Sequence, residues 1–224
     1  MKKYVLYFCL LFTAIIYAQE ELFHDETFKD KSFFEFTLTL KKAIQDKNPE
    51  VLKTILADSV EDGFGNCGYC AKSAFINNHF GPDQKNHWWN VLKSTIRFGF
   101  ARVEKEGATY FQAPAWYQKY DSEKELVILG ENVNVRKRAS VKAEVIDQLS
   151  FTKAACFCGI EYTTEETYVA SDGYQWVQIT LPDGRKGYIV TDFSSLGDAY
   201  YKELSVEKID GEWKITSFFN PAGC

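Results

Sequence analysis

The side chains best suited to chemistry in this sequence stand close together: Cys67 and Cys70 in GNCGYCAK, then His79 and His87. A cysteine nucleophile needs a base to take its proton and a polar group to orient that base. Cys67 or Cys70 with His79 or His87 supplies the residue types for a cysteine-dependent peptidase. The same four could ligate zinc, but two, eight and seven intervening residues match no usual finger. A third chemistry is simpler. In an oxidising compartment, two thiols this near each other bond before either becomes a nucleophile. That reading gives a Cys67–Cys70 disulfide, no catalytic residue, no metal and no cofactor. Asp58, Glu61 and Asp62, just before the Gly-rich loop, could in principle serve a carboxylate mechanism and read instead as a solvated helix end. No Gly-x-Ser-x-Gly, His-Glu-x-x-His or phosphate-loop pattern occurs.

The compartment follows from the first residues, MKKYVLYFCLLFTAIIYAQ. Lys2 and Lys3 make a charged start, Tyr4 to Tyr17 an apolar run, and Ala18 a small residue before a cut. The run is shorter than the roughly 20 apolar residues a spanning helix needs. Residues 1–19 are therefore expected to be a signal peptide, and the mature chain to be secreted or periplasmic with no membrane span. Cleavage leaves Cys67, Cys70, Cys156, Cys158 and Cys224, an odd number. Cys156 and Cys158 are too close to bond without strain, so one of them is expected to pair elsewhere. Removing Lys2 and Lys3 also leaves the chain more acidic than its formal charge of −5. An acidic chain with no basic run lacks the footprint of a nucleic-acid binder. Aromatics at 16% are enough for packed cores rather than disorder.

The elements that must hold these residues define an α+β chain. Residues 20–122 read as a helical domain with a small sheet. Ser32 and Glu35 form a capping box before Phe33, Phe34, Phe36, Leu40 and Ile44. Asn48 caps a second helix with Pro49 at its first position, and Val51, Leu52, Ile55 and Leu56 line one face. Asp83 can cap a third, carrying Trp88, Leu92 and Ile96. A hairpin turning at Glu106-Gly107 follows. Residues 123–197 change texture to short strands, with a two-residue turn expected at Asp183-Gly184. That turn would set Ile179 against Tyr188 and Val177 against Val190. Residues 198–224 form a last hairpin at Asp210-Gly211, with Val206 opposite Ile215 and an ion pair of Glu207 with Lys214 on the other face. It would either complete the sheet of the first domain or stand apart from it.

LGENVNVRKRASVKAEVIDQLS, followed by DGYQWVQITLPDGRKGYIVTDFS, resembles the bacterial SH3-like domain over about 126–196. The residues that carry the resemblance are Asn134, Val135 and Arg136, then Trp176, Asp183, Gly184, Gly187, Tyr188, Ile189 and Val190. The stretch 151–171, with Cys156 and Cys158, is longer than that pattern has. The resemblance implies a small SH3-like β-barrel that binds rather than catalyses, with peptidoglycan stem peptide or a cell-envelope protein as partner. Its ligand residues would be Asn134, Arg136, Tyr174, Trp176 and Tyr188. Trp176 and Tyr188 could equally be core, because aromatics in small domains usually pack. The opening helices and last hairpin also resemble the cone-shaped folds of the nuclear-transport-factor-2 type.

Overall fold

The structure is a computed structural model that describes residues 22–63, 68–81, 86–156, 168–197 and 203–219. The expected signal peptide, Asp83, Cys67, Cys158 and Cys224 lie outside those residues. The chain divides into two compact units, His24–Gln118 with Ala199–Cys224, and Lys119–Asp198 with the N-terminal residues through Phe23. Both contribute to a mixed α+β protein.

In the first unit, helix α1 (Lys31–Asp46) is capped by Asp30, whose carboxylate accepts from Phe33 N at 2.9 Å. The expected capping box at Ser32 and Glu35 is thus displaced by two residues. An aspartate two positions earlier takes the cap place and satisfies Phe33 N instead of Glu35 N, and Ser32 Oγ donates to the Asp30 carboxylate at 2.7 Å. Phe33, Phe36, Leu40, Ala43 and Ile44 make the buried stripe. Asn48 caps α2 (Pro49–Thr54) as its sequence requires, accepting from Glu50 N and Val51 N. That helix stops short of the apolar face read from the sequence, for Leu56 already begins strand β1 (Leu56–Gly63). Strand β2 (Gly68–Ala71) runs back beside it. Helices α3 (Lys72–Phe80) and α4 (His87–Ile96) and strands β3 (Ala101–Lys105) and β4 (Ala108–Ala113) follow.

The second unit is built from β5 (Glu125–Val127), β6 (Val133–Arg136), β7 (Val145–Leu149), β8 (Lys153–Ala155), β9 (Tyr168–Ser171), β10 (Tyr174–Thr180) and β11 (Lys186–Val190). Strands β12 (Glu203–Ile209) and β13 (Glu212–Phe219) then return to the first unit. Its sheet has the order β2-β1-β13-β12-β4-β3, with β13 parallel to β1 and the other pairs antiparallel. The terminal hairpin therefore occupies the middle of this sheet. Val206 faces Ile215, both buried, and the Asp210-Gly211 turn has both residues at positive φ, as a type I′ turn needs. Glu207 does stand opposite Lys214, but they form no ion pair. Lys214 goes to Glu212 at 2.8 Å, and Glu207 accepts from Thr216. Phe33 stacks on Phe111 with ring centroids 3.6 Å apart, and Trp213 and Phe100 meet it edge-on at the core of this unit.

The sheet of the second unit has the order β5-β8-β10-β11-β6-β7, with β9 also on β10, and it curls over its own apolar face. Leu126, Val133, Val135, Val177, Ile179 and Ile189 fill that face. Gly187 is required there: a Cβ would lie 2.4 Å from Val135 Cγ1. The β10–β11 register differs by one residue from expectation, pairing Gln178 with Tyr188 and Val177 with Ile189. Of the central turn residues only Gly184 has positive φ, and Leu181 O accepts from Gly184 N. Pro182 fixes φ near −65° at the first corner, which excludes type I′ and adds a residue to the loop. A one-residue slip exchanges the faces, so Ile189 turns inward and Tyr188 outward.

Candidate functional site

The slip brings the five residues singled out from the SH3-like pattern onto one face. Tyr174, Trp176 and Gln178 alternate along β10, Tyr188 stands opposite Gln178, and Arg136 stands opposite Tyr188 with Asn134 two residues away on β6. Their availability differs. Trp176 is 1% exposed, and its Nε1 donates to Ser171 O at 3.0 Å, so it offers a ligand no surface of its own. Tyr188 is half-buried, its hydroxyl accepting from Gln178 Nε2 at 2.7 Å. Arg136 Nη1 donates to Ala143 O at 2.7 Å, and Asn134 Oδ1 accepts from Gln148 Nε2 at 2.9 Å. These two hold strands and loop in place and keep little reach for a ligand.

Tyr174 is the member that faces solvent, 45% exposed and edge-on to Trp176 at 6.4 Å. It follows the Asp172-Gly173 turn directly. Asp172 accepts from Ser140 Oγ at 2.6 Å and from Val141 N at 2.9 Å. Those bonds hold the Asp172 carboxyl below its ordinary range. They also tie the loop after β6, with its exposed Val141, to the turn that carries Tyr174. The result is a fixed apolar rim with polar edges.

The first unit holds two further polar groupings. Asp62, expected at a solvated helix end, is instead a buried residue of β1, in the same alternation that buries Val60. Its Oδ1 lies 2.8 Å from His79 Nε2, and its Oδ2 3.8 Å from Cys70 Sγ. Cys70 is disulfide-bonded, as is Cys156. Asp62 thus stands between the sulfur and the imidazole, a relation that no sequence spacing signals, while His87 is exposed. Among the described residues no group of three or more His, Cys, Asp or Glu could hold a metal ion.

On the helix-free face of the same sheet, Glu61, Tyr69, Lys105, Tyr110, Glu203 and Glu207 line an open groove of about 630 Å³. Burial raises the Glu203 carboxyl, partly offset by hydrogen bonds from Gln112 and Ser205, and Glu61 raises it further. Burial, with Glu203 and Glu207, raises the Tyr110 phenol as well. Asp58 is exposed and pairs with Lys72 at 2.6 Å.

Fold and sites define a two-unit α+β protein whose second unit presents an aromatic rim. No family model matches this chain, and no curated protein and no solved structure matches it. Among the described residues no helix is long and apolar enough to cross a membrane.

Proposed function

We propose that this is an exported, non-catalytic binding protein whose second unit is an SH3-like barrel holding a short peptide segment, a peptidoglycan stem peptide in the first instance. The Asn-Val-Arg start, the Trp strand and the Gly-Tyr-Ile-Val strand of the SH3-like pattern all fall in the curled sheet, which supports that assignment. The observation that carries the binding reading is the rim itself. Tyr174 offers flat apolar area with few torsions to freeze, beside backbone and side-chain polar groups that suit an extended peptide. The first unit, with opening helices and a last hairpin in mid-sheet, is read as a cone of the nuclear-transport-factor-2 type acting as carrier for the barrel. The charged and apolar start of the sequence supports export.

Purified sacculi incubated with the mature protein test this. Co-sedimentation is expected for the native chain and is lost on Tyr174→Ser. Equal sedimentation of the two proteins refutes the rim as the site. No sedimentation of either, with a cross-linked envelope protein recovered only from the native chain, moves the partner from wall peptide to protein. The peptidase alternative with Cys67 or Cys70 and His79 or His87 predicts stem-peptide cleavage by the reduced protein. Cys70 is buried and bonded, which supports the binding reading over that one.

A further inference from the structure

We propose that the groove on the helix-free face of the first unit's sheet binds a linear polyamine, an aliphatic chain carrying two or more ammonium groups. Register sets its floor. Tyr69, Glu61, Ser217, Ser205 and Gln112 stand opposite one another across β2, β1, β13, β12 and β4. Glu203 and Glu207 lie two residues to either side of Ser205 along β12, and Glu207 stands opposite Tyr110. The other face of the same strands keeps Val60, Leu204, Val206 and Phe111 in the core. A β-bulge at Thr216 turns Thr216 and Ser217 to the groove together, while Ile215 and Phe218 stay in the core.

The charge of the groove is one-sided. Among the described residues it is lined by Glu61, Glu106, Glu203 and Glu207 against Lys105. These groups act on one another. Burial and, after it, Glu61 hold the Glu203 carboxyl above its ordinary range, and Glu203 and Glu207 add to the effect of burial on the Tyr110 phenol. A positive charge seated among them offsets that crowding. Ser217 is a second and independent sign of a ligand. Its side chain is 5% exposed and lines the groove, and among the described residues no partner takes up its hydroxyl. A hydroxyl so withdrawn from water has lone pairs to offer, and an ammonium beside Glu61 supplies the donor.

The floor also selects the kind of cation. Strands β1, β13, β12 and β4 are flanked on both sides, so their N–H and C=O groups are engaged by neighbouring strands. An extended peptide laid across them would lack the main-chain partners on which strand addition depends. A polyamine needs none. Its ammonium groups donate to carboxylates and hydroxyls, and its methylene runs lie against aromatic rings that also attract the charge. Tyr69, 70% exposed, and Tyr110, half-buried, present such rings. Spacing agrees. Glu61 is two strands from β12, about 10 Å at ~4.8 Å per strand, and Glu203 is four residues from Glu207, about 13 Å at ~3.3 Å per residue. Carboxylates so far apart suit separate charges on one chain, whereas a metal ion gathers its oxygen ligands within about 2.0–2.6 Å.

Isothermal titration calorimetry of the mature protein at pH 7 and fixed ionic strength tests this, with spermidine, Mg²⁺ and tetralysine as probes. Spermidine is expected to bind roughly tenfold more tightly than Mg²⁺ or better, because contacts of its methylenes with the rings add to charge. Glu61→Gln and Glu207→Gln are each expected to weaken spermidine binding by roughly threefold to tenfold. Glu35→Gln, exposed on α1, is expected to leave it unchanged. No spermidine binding, or Mg²⁺ binding as tightly, would overturn the proposal from the native chain alone. Both groove variants within about twofold of native would place the binding elsewhere and overturn it equally. Tetralysine binding more tightly than spermidine would overturn the polyamine in favour of a basic peptide. None of these outcomes depends on whether the second unit binds peptide.

Discussion

Trp176→Phe and Tyr174→Ser separate support from contact on the proposed binding face. Trp176 is fully buried, so replacing indole by phenyl removes two carbons of buried apolar contact, about 1.6 kcal/mol at ~0.8 per carbon. It also removes the Nε1 bond to Ser171 O, worth about 1 kcal/mol net. The sum, about 3 kcal/mol, lowers the midpoint of a unit this size by roughly 12–24 °C. Tyr174 is half exposed, and its loss costs chiefly the edge contact with Trp176, about 0.5–1 kcal/mol. Its contribution to binding as an aromatic anchor is about 2 kcal/mol, or roughly thirtyfold in Kd. Melting by near-ultraviolet circular dichroism gives the first quantity. Sacculus co-sedimentation well below each midpoint gives the second. Trp176→Phe should be destabilised yet bind within about threefold of native, since anchor contacts are retained when folded. Tyr174→Ser should be stable and bind poorly. The reverse pattern, with binding lost in folded Trp176→Phe and kept in Tyr174→Ser, would refute the assignment of the two residues. So would a Trp176→Phe cost below about 1 kcal/mol, the net worth of the lost hydrogen bond alone.

Phe33→Ala should destabilise the first unit by about 3–5 kcal/mol, because it empties a site between Phe36, Phe100, Phe111 and Trp213; urea unfolding with unchanged m measures it. Asp30→Ala should cost about 1 kcal/mol through the lost cap, and Glu35→Ala should stay within about 0.5, a contrast that the displaced capping box would invert. Hydrogen bonds from Ser32 and Phe33 lower the Asp30 carboxyl in the folded state, so its contribution is present above the unfolded-chain value and fades as pH falls through the folded one. Glu203 has the opposite sign: its raised carboxyl favours folding at acid pH and opposes it once pH passes the folded value. Glu203→Gln should therefore raise the melting midpoint at pH 7 relative to its effect at pH 4, and an equal effect at both would argue against the shift.

Locally encoded features were legible from the chain. Asn48-Pro49 starts a helix wherever it is placed, because the amide side chain meets two free N–H groups and proline needs no donor. Glu106-Gly107 and Asp210-Gly211 turn hairpins because both residues of each pair accept positive φ. That Val177 and Ile179 share one face follows from alternation alone.

Other features belong to the tertiary structure because their causes are distant in sequence or compete locally. Leu56 to Gly63 lies next to a helix and continues its apolar spacing, yet becomes a strand because β13 offers a parallel partner some 155 residues away. Pro182 outweighed the Asp183-Gly184 signal and reversed which face Tyr188 joins. Asp62, His79 and Cys70 come together only because β1, β2 and α3 pack against one another, and the buried carboxylate takes its partners from that packing. Sequence alone determined which segments turn, cap and alternate, since those depend on neighbours a few bonds away. The fold decided which polar side chains left water together, since that depends on which surfaces closed over them.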